Sequence, residues 1–294
     1  MSSDHLFRRK LWSHIITVLA GLTVIAVLVP LASILYEAFS QGGSVLSLSF
    51  LVSNPPLPCS NISGVTCPVG GIGPALQGTI ILVSIAAVIS ITIGIAAAVF
   101  VVEYPGRWLS RAISFTADVL TGLPSIIAGL VVYSYLVVYY PQIVFSAISG
   151  TLALSIIMIP IVTRTCEEAL RTVPHSVREA ALALGIPKWR TNLQIVLITA
   201  LPGVLTGALL AVMRGAGEAA PLLFTAFGSS VGFQGFNQPI AALPLMIYTF
   251  ATTGYSNWIA LAWGAALVLI LLLLVTSILS RLVIMRMTRR MKGE

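Results

Sequence analysis

Apolar residues fill long stretches of this sequence, and the charged positions fall between them. Asp, Glu, Lys and Arg are absent from 15–36, 38–102, 119–163, 191–213 and 219–280. A bilayer core takes about 20 predominantly apolar residues per helix, so the first and fourth runs hold one helix each. The longer runs must contain a turn or loop. In 38–102, the stretch from Ser40 to Pro74 is rich in Gly, Ser and Pro, which places the next helix start near Pro74. Tyr139, Tyr140, Pro141 and Gln142 divide 119–163 into two spans. Gly, Asn, Gln, Ser and Pro occupy 228–257, so the last helix starts near Asn257. The pattern predicts helices at 13–38, 75–102, 110–139, 143–164, 192–226 and 257–284.

Composition agrees with this pattern. Hydrophobic residues make up 57% of the chain and charged residues 9%, against roughly 45–50% and about 25% in soluble domains. The expected fold class is therefore all-α: a polytopic membrane protein with six transmembrane helices. Residues 1–12 form an N-terminal segment, 13–284 a single transmembrane domain, and 285–294 a basic tail. Within the domain, 39–74 and 228–256 are loops on one side of the membrane, and 165–191 is the longest loop on the other. Pro239 and Pro244 allow 228–256 to re-enter the membrane or to lie on its surface. The first apolar run is longer than the core of a signal peptide and lacks a small-residue cleavage site before Tyr36 and Glu37. It is kept as a spanning helix.

The cations set the orientation. Arg8, Arg9 and Lys10 precede the first helix, and Arg107 and Arg111 join the second to the third. Arg164, Arg171, Arg178, Lys188 and Arg190 lie between the fourth and fifth, and Arg281, Arg286, Arg289, Arg290 and Lys292 follow the last. The three opposite loops hold none. Short cytoplasmic loops carry the Lys/Arg excess, so both termini are expected in the cytoplasm. The net charge of +7 then reports orientation rather than nucleic-acid binding. Cys59 and Cys67 share an outer loop where oxidation is permitted; a disulfide and two free thiols both fit. Cys166 is placed on the cytoplasmic side as a reduced thiol. Asn61-Ile62-Ser63 matches a short glycosylation pattern.

Several chemistries are missing. None of the three lysines lies in a G-x-x-x-x-G-K-[ST] phosphate loop, so ATP hydrolysis would need another chain. His and Cys show no metal-ligand spacing, and there is no G-x-S-x-G elbow. The chain is expected to be no enzyme, with no metal and no cofactor of its own.

Two segments carry positive signals. In the cytoplasmic loop, Ser176 can cap a helix with Glu179 three residues on, and Gly185 with Pro187 ends it. A helix of about nine residues is too short to be stable alone, so it needs a partner surface. Ala180, Ala181, Leu182 and Leu184 supply a small apolar face for one. The second signal is Arg214, a lone cation inside the fifth span, with Glu218 one turn away. An intramembrane arginine costs on the order of 3 kcal/mol and usually faces the bundle interior or an aqueous path. The pair can simply neutralise itself. Gly215, Gly217 and Pro221 instead favour a locally unwound segment that binds or gates a ligand. A guanidinium matches phosphate oxygens, with Glu218 orienting it. Pro124 opens the third span, where a freed N–H or the Ser125 hydroxyl can donate to an anion; a packing kink is the alternative. Asp118 lies near the cytoplasmic end of that span, within reach of Arg107, Arg111 or a partner's cation.

Glu179-Ala180-Ala181, then Gly185, Ile195 and Leu201-Pro202, resembles the EAA loop of type I ABC importer permeases. Ile198 stands where that family has its first proline. The run from Gly217 to Ala226 (GEAAPLLFTA) and Gly122-Leu123-Pro124-Ser125-Ile126-Ile127 resemble the phosphate permeases of the PstA type, and the likeness extends over most of 75–280. The resemblance implies a type I ABC importer transmembrane-domain fold in a bacterial or archaeal cell membrane. It implies a coupling helix at 174–186, with Arg178, Glu179, Ala180, Ala181 and Gly185 serving ATPase coupling. The implied partners are a second homologous permease, two ATPase subunits that hold ATP and Mg, and an extracytoplasmic phosphate-binding protein. Arg214, Glu218 and Ser125 would line the phosphate pathway. The alternatives are a permease for another oxyanion, such as sulfate or molybdate, and a stand-alone anion channel.

Overall fold

The structure, a computed structural model, describes residues 3–59, 67–68 and 70–292. The Asn61-Ile62-Ser63 pattern lies outside the described residues. The elements are α1 (Ser3–Gly43), a short α2 (Leu48–Val52), α3 (Gly73–Glu103), α4 (Trp108–Gly122), α5 (Ser125–Tyr139), α6 (Ala147–Arg171), α7 (His175–Ala183), α8 (Lys188–Arg190), a π-helical turn (Thr191–Val196), α9 (Leu197–Thr199), α10 (Leu201–Gly217), α11 (Ala220–Leu223), α12 (Leu243–Ala251) and α13 (Ser256–Lys292). Arg9–Gly43, α3, α6 and Ser256–Met287 are long and apolar enough to cross a bilayer as single rods. Two bent helix pairs, α4 with α5 and Lys188–Thr199 with α10, pass the same test of length and apolarity when taken together. Six crossings result when each pair counts as one.

The bends correct two of the straight helices expected from sequence. The span over 110–139 breaks at Leu123-Pro124, where α4 and α5 meet at 109°. Pro124 brings no N–H and forces Leu123 out of the helical region, to ψ 140°. The span over 192–226 bends by 72° at Ala200, between Lys188–Thr199 and α10. It breaks again at Glu218, which is extended at φ −85° and ψ 118° ahead of the short α11. Pro202 and Pro221 stand just after these two breaks, in the first turns of α10 and α11. The π turn at Thr191–Val196 precedes the first of them, a common device for bending a helix. Helix continues through Ile198, the position of the proline missing from the EAA pattern.

Helix α6 is the centre of the bundle. Its buried positions include Ala147, Ser149, Gly150, Thr151, Ala153 and Ser155, and such small side chains let neighbouring backbones approach closely in a membrane. Helix α3 lies along it: a side chain at Gly94 would meet Val162 at 2.6 Å, and Ser90 Oγ donates to the Ser155 carbonyl at 3.4 Å. Leu82, Ala86, Leu154, Met158 and Val162 are buried in the shared core. Helix α1 stands apart. It meets the bundle through Ala38, which is buried, and Gly42, which packs on Trp263 of α13.

The two ends of the bundle differ in chemistry. At the uncharged end, Asn257 at the start of α13 holds the Pro-rich loop. Its Nδ2 donates to the carbonyls of Leu57 (2.9 Å) and Pro68 (3.3 Å), and its Oδ1 accepts from the Cys59 N–H (3.0 Å). Cys59 and Cys67 form a disulfide, with Cα atoms 5.7 Å apart. Nearby, the chain between α11 and α12 turns back inside the bundle. Leu243 N–H donates to Thr79 Oγ1 at 2.7 Å, six residues into α3 and so about 9 Å below that helix's start.

At the basic end, one ion network ties α4 to α6. Arg164 donates to Glu167 (2.6 Å), to the Ser114 carbonyl (2.7 Å) and to Asp118. Glu167 also accepts from Arg171 at 2.8 Å. Asp118 therefore pairs with Arg164, not with Arg107 or Arg111: α4 crosses the end of α6 and carries Asp118 to it. Cys166, expected at the cytoplasmic surface, is buried in the same helix end. Glu167 is the shared anion and is nearly inaccessible, at 8% side-chain exposure. Replacing it with Ala takes one of three partners from Arg164, which keeps Asp118 and the Ser114 carbonyl, and releases Arg171; hydrogen bonds to charged groups contribute about 1.5–3 kcal/mol. A thermal unfolding scan of the purified chain is expected to show a lower midpoint for Glu167→Ala, and a smaller drop for Arg171→Ala, whose side chain is 57% exposed.

Candidate functional site

Three sequence-predicted features converge on one cavity. Leu120, Thr121, Leu123, Pro124, Ser125, Ile127, Ala128, Val131, Ile156, Ile157, Ile161 and Arg214 line a space of about 300 Å³. The wall is apolar except for Arg214, Ser125 and Thr121. The break at Pro124 puts the start of α5 on this wall. No side chain caps that start; the Ile127 N–H donates to the Pro124 carbonyl at 3.0 Å, and the positive end of the α5 dipole lies at this wall with Ser125. A guanidinium and a helix N-terminus in one apolar hollow favour an anion.

Arg214 lies at mid-depth. A side chain on its neighbour Gly215 would meet Met158 Sδ at 2.6 Å, and Met158 is the twelfth of the 25 residues of α6. Gly215 is thus the contact that lets α10 close on α6 and present Arg214 at this level. Gly129 does the same for the other wall: a Cβ there would meet the Pro221 carbonyl oxygen at 2.6 Å. The two proline breaks, at Pro124 and Pro221, are held together by that contact.

Glu218 follows as the first residue after α10. Its Oε1 stands 3.4 Å from Arg214 Nε. Glu218 is well covered, at 17% side-chain exposure, whereas Arg214 is 52% exposed. The carboxylate meets the guanidinium at Nε, and Arg214 lines the cavity.

Helix α7, at the basic end, spans nine residues, as the sequence predicts, but its start differs. Pro174 occupies the cap and no side chain caps the helix. The Ser176–Glu179 capping box does not form, because the helix begins at His175, two residues before the start at Val177 that a Ser176 cap requires. Its end is a Schellman turn: Gly185 at φ +77°, Gly185 N–H to Leu182 O at 3.0 Å, and Ile186 N–H to Ala181 O at 3.2 Å. Glu179, Ala180, Leu182 and Leu184 are exposed on α7 and its cap, Leu184 at 80%. Ala181 points inward and is buried, so it is no part of that face. Arg178 is also turned inward, to Glu103 and to the Leu170 carbonyl.

Sequence reasoning missed Thr121 as a cavity hydroxyl and Glu103 as the partner of Arg178. Thr121 has no local pattern that marks it; the α4–α5 bend puts it beside Ser125. Glu103 is the charge that ends the longest apolar run before α7, but its partner is 75 residues away.

Reaction of a cysteine at Ser125 with charged thiosulfonates reports the local field. In Ser125→Cys, the anionic reagent is expected to react faster than its cationic counterpart, by about fivefold for 1 kcal/mol of field energy. Adding Arg214→Gln is expected to remove the preference, read as labelling rates by mass spectrometry.

Comparison with known proteins gives this arrangement its family. Residues 90–289 match the binding-protein-dependent transport system inner membrane component family. The phosphate transport system permease protein PstA of Xylella fastidiosa (strain 9a5c) is 45% identical over 218 residues, covering 74% of this chain and 76% of that protein. The PstA of Yersinia pestis is 38% identical over 276 residues, covering 94% of this chain and 90% of that one. Among solved structures, the inward-facing MetNI methionine ABC transporter superposes with a TM-score of 0.60 at 19% identity, over 73% of this chain and 95% of that chain. That likeness concerns the fold: an ABC importer transmembrane domain. The chain belongs to the inner membrane components of binding-protein-dependent transport systems and, among them, to the PstA permeases of phosphate transport systems.

Proposed function

We propose that this chain forms one wall of a phosphate pathway, with Arg214 as the residue that meets the anion at mid-membrane. The chain is a multi-pass permease subunit of an ABC importer for phosphate, not its ATPase. The single observation that carries the proposal is the shared cavity of Arg214 and the α5 start. Phosphate carries a tetrahedral set of acceptor oxygens. Arg214 offers planar paired donors to two of them, and the Ser125 hydroxyl and α5 N–H groups supply donors from a second direction. Glu218 holds the arginine when phosphate is absent and balances part of its charge.

Arg214 is half-exposed in the single chain, and Leu123 and Pro124 at the cavity mouth are exposed as well. A second, homologous permease would cover this side and complete the path. An extracytoplasmic phosphate-binding protein would deliver the anion at the uncharged end. Two ATPase subunits would dock at the basic end, where α7 offers Ala180 and Leu184 to a groove. ATP and Mg belong to those subunits, and no covalent step occurs in this chain. Closure of the ATPases would move α7 and reorient the bundle around Arg214.

Two measurements on the assembled importer in vesicles test the two halves. Arg214→Gln is expected to abolish phosphate uptake with all subunits still co-purifying, and Arg214→Lys to restore only a minor fraction, because an ammonium lacks the planar fork. Normal uptake by Arg214→Gln contradicts the pathway. A tenfold excess of sulfate is expected to leave wild-type uptake unchanged; equal competition favours a general oxyanion permease. Separately, Ala180→Glu with Leu184→Glu is expected to release the ATPase, read by co-purification.

A further inference from the structure

Arg178 immediately precedes the Glu-Ala-Ala of the cytoplasmic loop, yet it does not join the exposed face of α7. Its Nη1 donates to Glu103 Oε1, on the last residue of α3, and its Nη2 donates to the Leu170 carbonyl near the end of α6 at 3.3 Å. The two charged side chains are well covered, Arg178 at 15% exposure and Glu103 at 18%. A half-buried ion pair of this kind holds geometry better than a solvated one. One guanidinium thus bridges the ends of the two helices that form the bundle core.

The placement of Glu103 is informative on its own. A carboxylate at a helix C-terminus opposes the helix dipole, so α3 alone gains nothing from it there. Arg178 reverses that balance, and it adds a charged donor to the Leu170 carbonyl, which also accepts from the Val173 N–H at 3.4 Å. The remainder of the connection around α7 is short. Val177 packs on the core, Ala181 is buried, and the link to α6 is a turn of three residues, Thr172–Pro174. On the other side of α7 the chain runs into the π turn at Thr191–Val196 and the 72° bend at Ala200 before it reaches α10. The attachment to α3 and α6 is therefore by a charge-assisted bond, whereas the attachment to α10 passes through two irregular joints.

We infer that Arg178 is a positioning residue that straps the ATPase-facing helix to α3 and α6, so that these three elements move as one body. The π turn and the Ala200 bend interrupt the chain between α7 and α10, but α10 lies directly on α6, where a side chain at Gly203 or Gly207 would meet Ala169 at 2.6 Å or Thr165 at 2.7 Å. A displacement of α7 is therefore carried through α3 and α6 to the cavity wall of Ile156, Ile157 and Ile161 and to Arg214 on α10. The inference rests on α7 being the helix that meets the ATPase, and the release of the ATPase by Ala180→Glu with Leu184→Glu tests that premise separately.

The experiment uses the whole importer reconstituted in vesicles and reads phosphate moved per ATP hydrolysed. Arg178→Gln and Glu103→Gln are each expected to lower that ratio at least tenfold. The single variants are expected to keep all subunits co-purifying and to keep hydrolysing ATP, which loss of fold would not show, and the swap Glu103→Arg with Arg178→Glu is expected to recover at least a third of the wild-type ratio. A second arm removes dependence on the swap's geometry. Glu103→Cys with Arg178→Cys is uncoupled as made, and bridging the two thiols with a short bifunctional thiosulfonate is expected to restore transport, because the strapped elements need not slide past each other. Wild-type ratios in the single variants, or arrest of transport by the covalent bridge, would overturn the inference.

Discussion

An arginine at mid-membrane is the constraint around which this bundle is arranged. Leaving a guanidinium among hydrocarbon costs on the order of 3 kcal/mol or more, so the chain must surround it with groups that accept or share its charge. Glu218 answers part of that need at 3.4 Å. The rest falls to the hollow that Arg214 lines, and the hollow lies where the third span is broken. Pro124 interrupts the third span and Pro221 follows the interruption of the fifth. Such irregular backbone is tolerated at depth only where it lines a cavity or is buried in protein. The glycines at 129 and 215 allow the broken segments to close on Pro221 and Met158. Arg214, the two breaks and the two close contacts form one unit, and each would be a liability without the others.

The remainder of the bundle gives this unit a frame and an input. Helix α6, lined by small side chains, holds α3 along its length and supplies Ile156, Ile157 and Ile161 to the cavity wall. At the uncharged end, Asn257 and the Cys59–Cys67 loop pin α13. At the basic end, Glu167 gathers Arg164 and Arg171, and Arg178 joins α7 to Glu103. Charge is thus concentrated at one end and nearly absent from the other, which is the distribution expected for cytoplasmic and outer faces.

Much of this was legible in the sequence for physical reasons. Apolar runs of about 20 residues have few alternatives to a spanning helix, and fifteen of the sixteen Lys and Arg residues lie between the predicted helices or within a terminal turn of one, all on the same side. Gly185 ends α7 as expected because only a residue tolerant of positive φ fits a Schellman turn. Proline announced both breaks, at 124 and 221, but not their angles. A bend of 109° is set by what α4 meets when it crosses α6, namely Arg164 under Asp118, and that pairing joins residues 46 apart. The inward direction of Arg178 and Ala181 was hidden for the same reason. Over nine residues, helical periodicity alone does not say which face meets the bundle and which a partner.

The central claim is that phosphate passes between Arg214 and the start of α5. The most direct measurement is a structure of the assembled importer with phosphate, or the heavier arsenate, trapped by an ATPase that binds but does not hydrolyse ATP. Tetrahedral density about 3 Å from the Arg214 guanidinium and from the Ser125 hydroxyl or N–H is the expected result. Density held elsewhere in the membrane, with Arg214 still closed on Glu218, would contradict it.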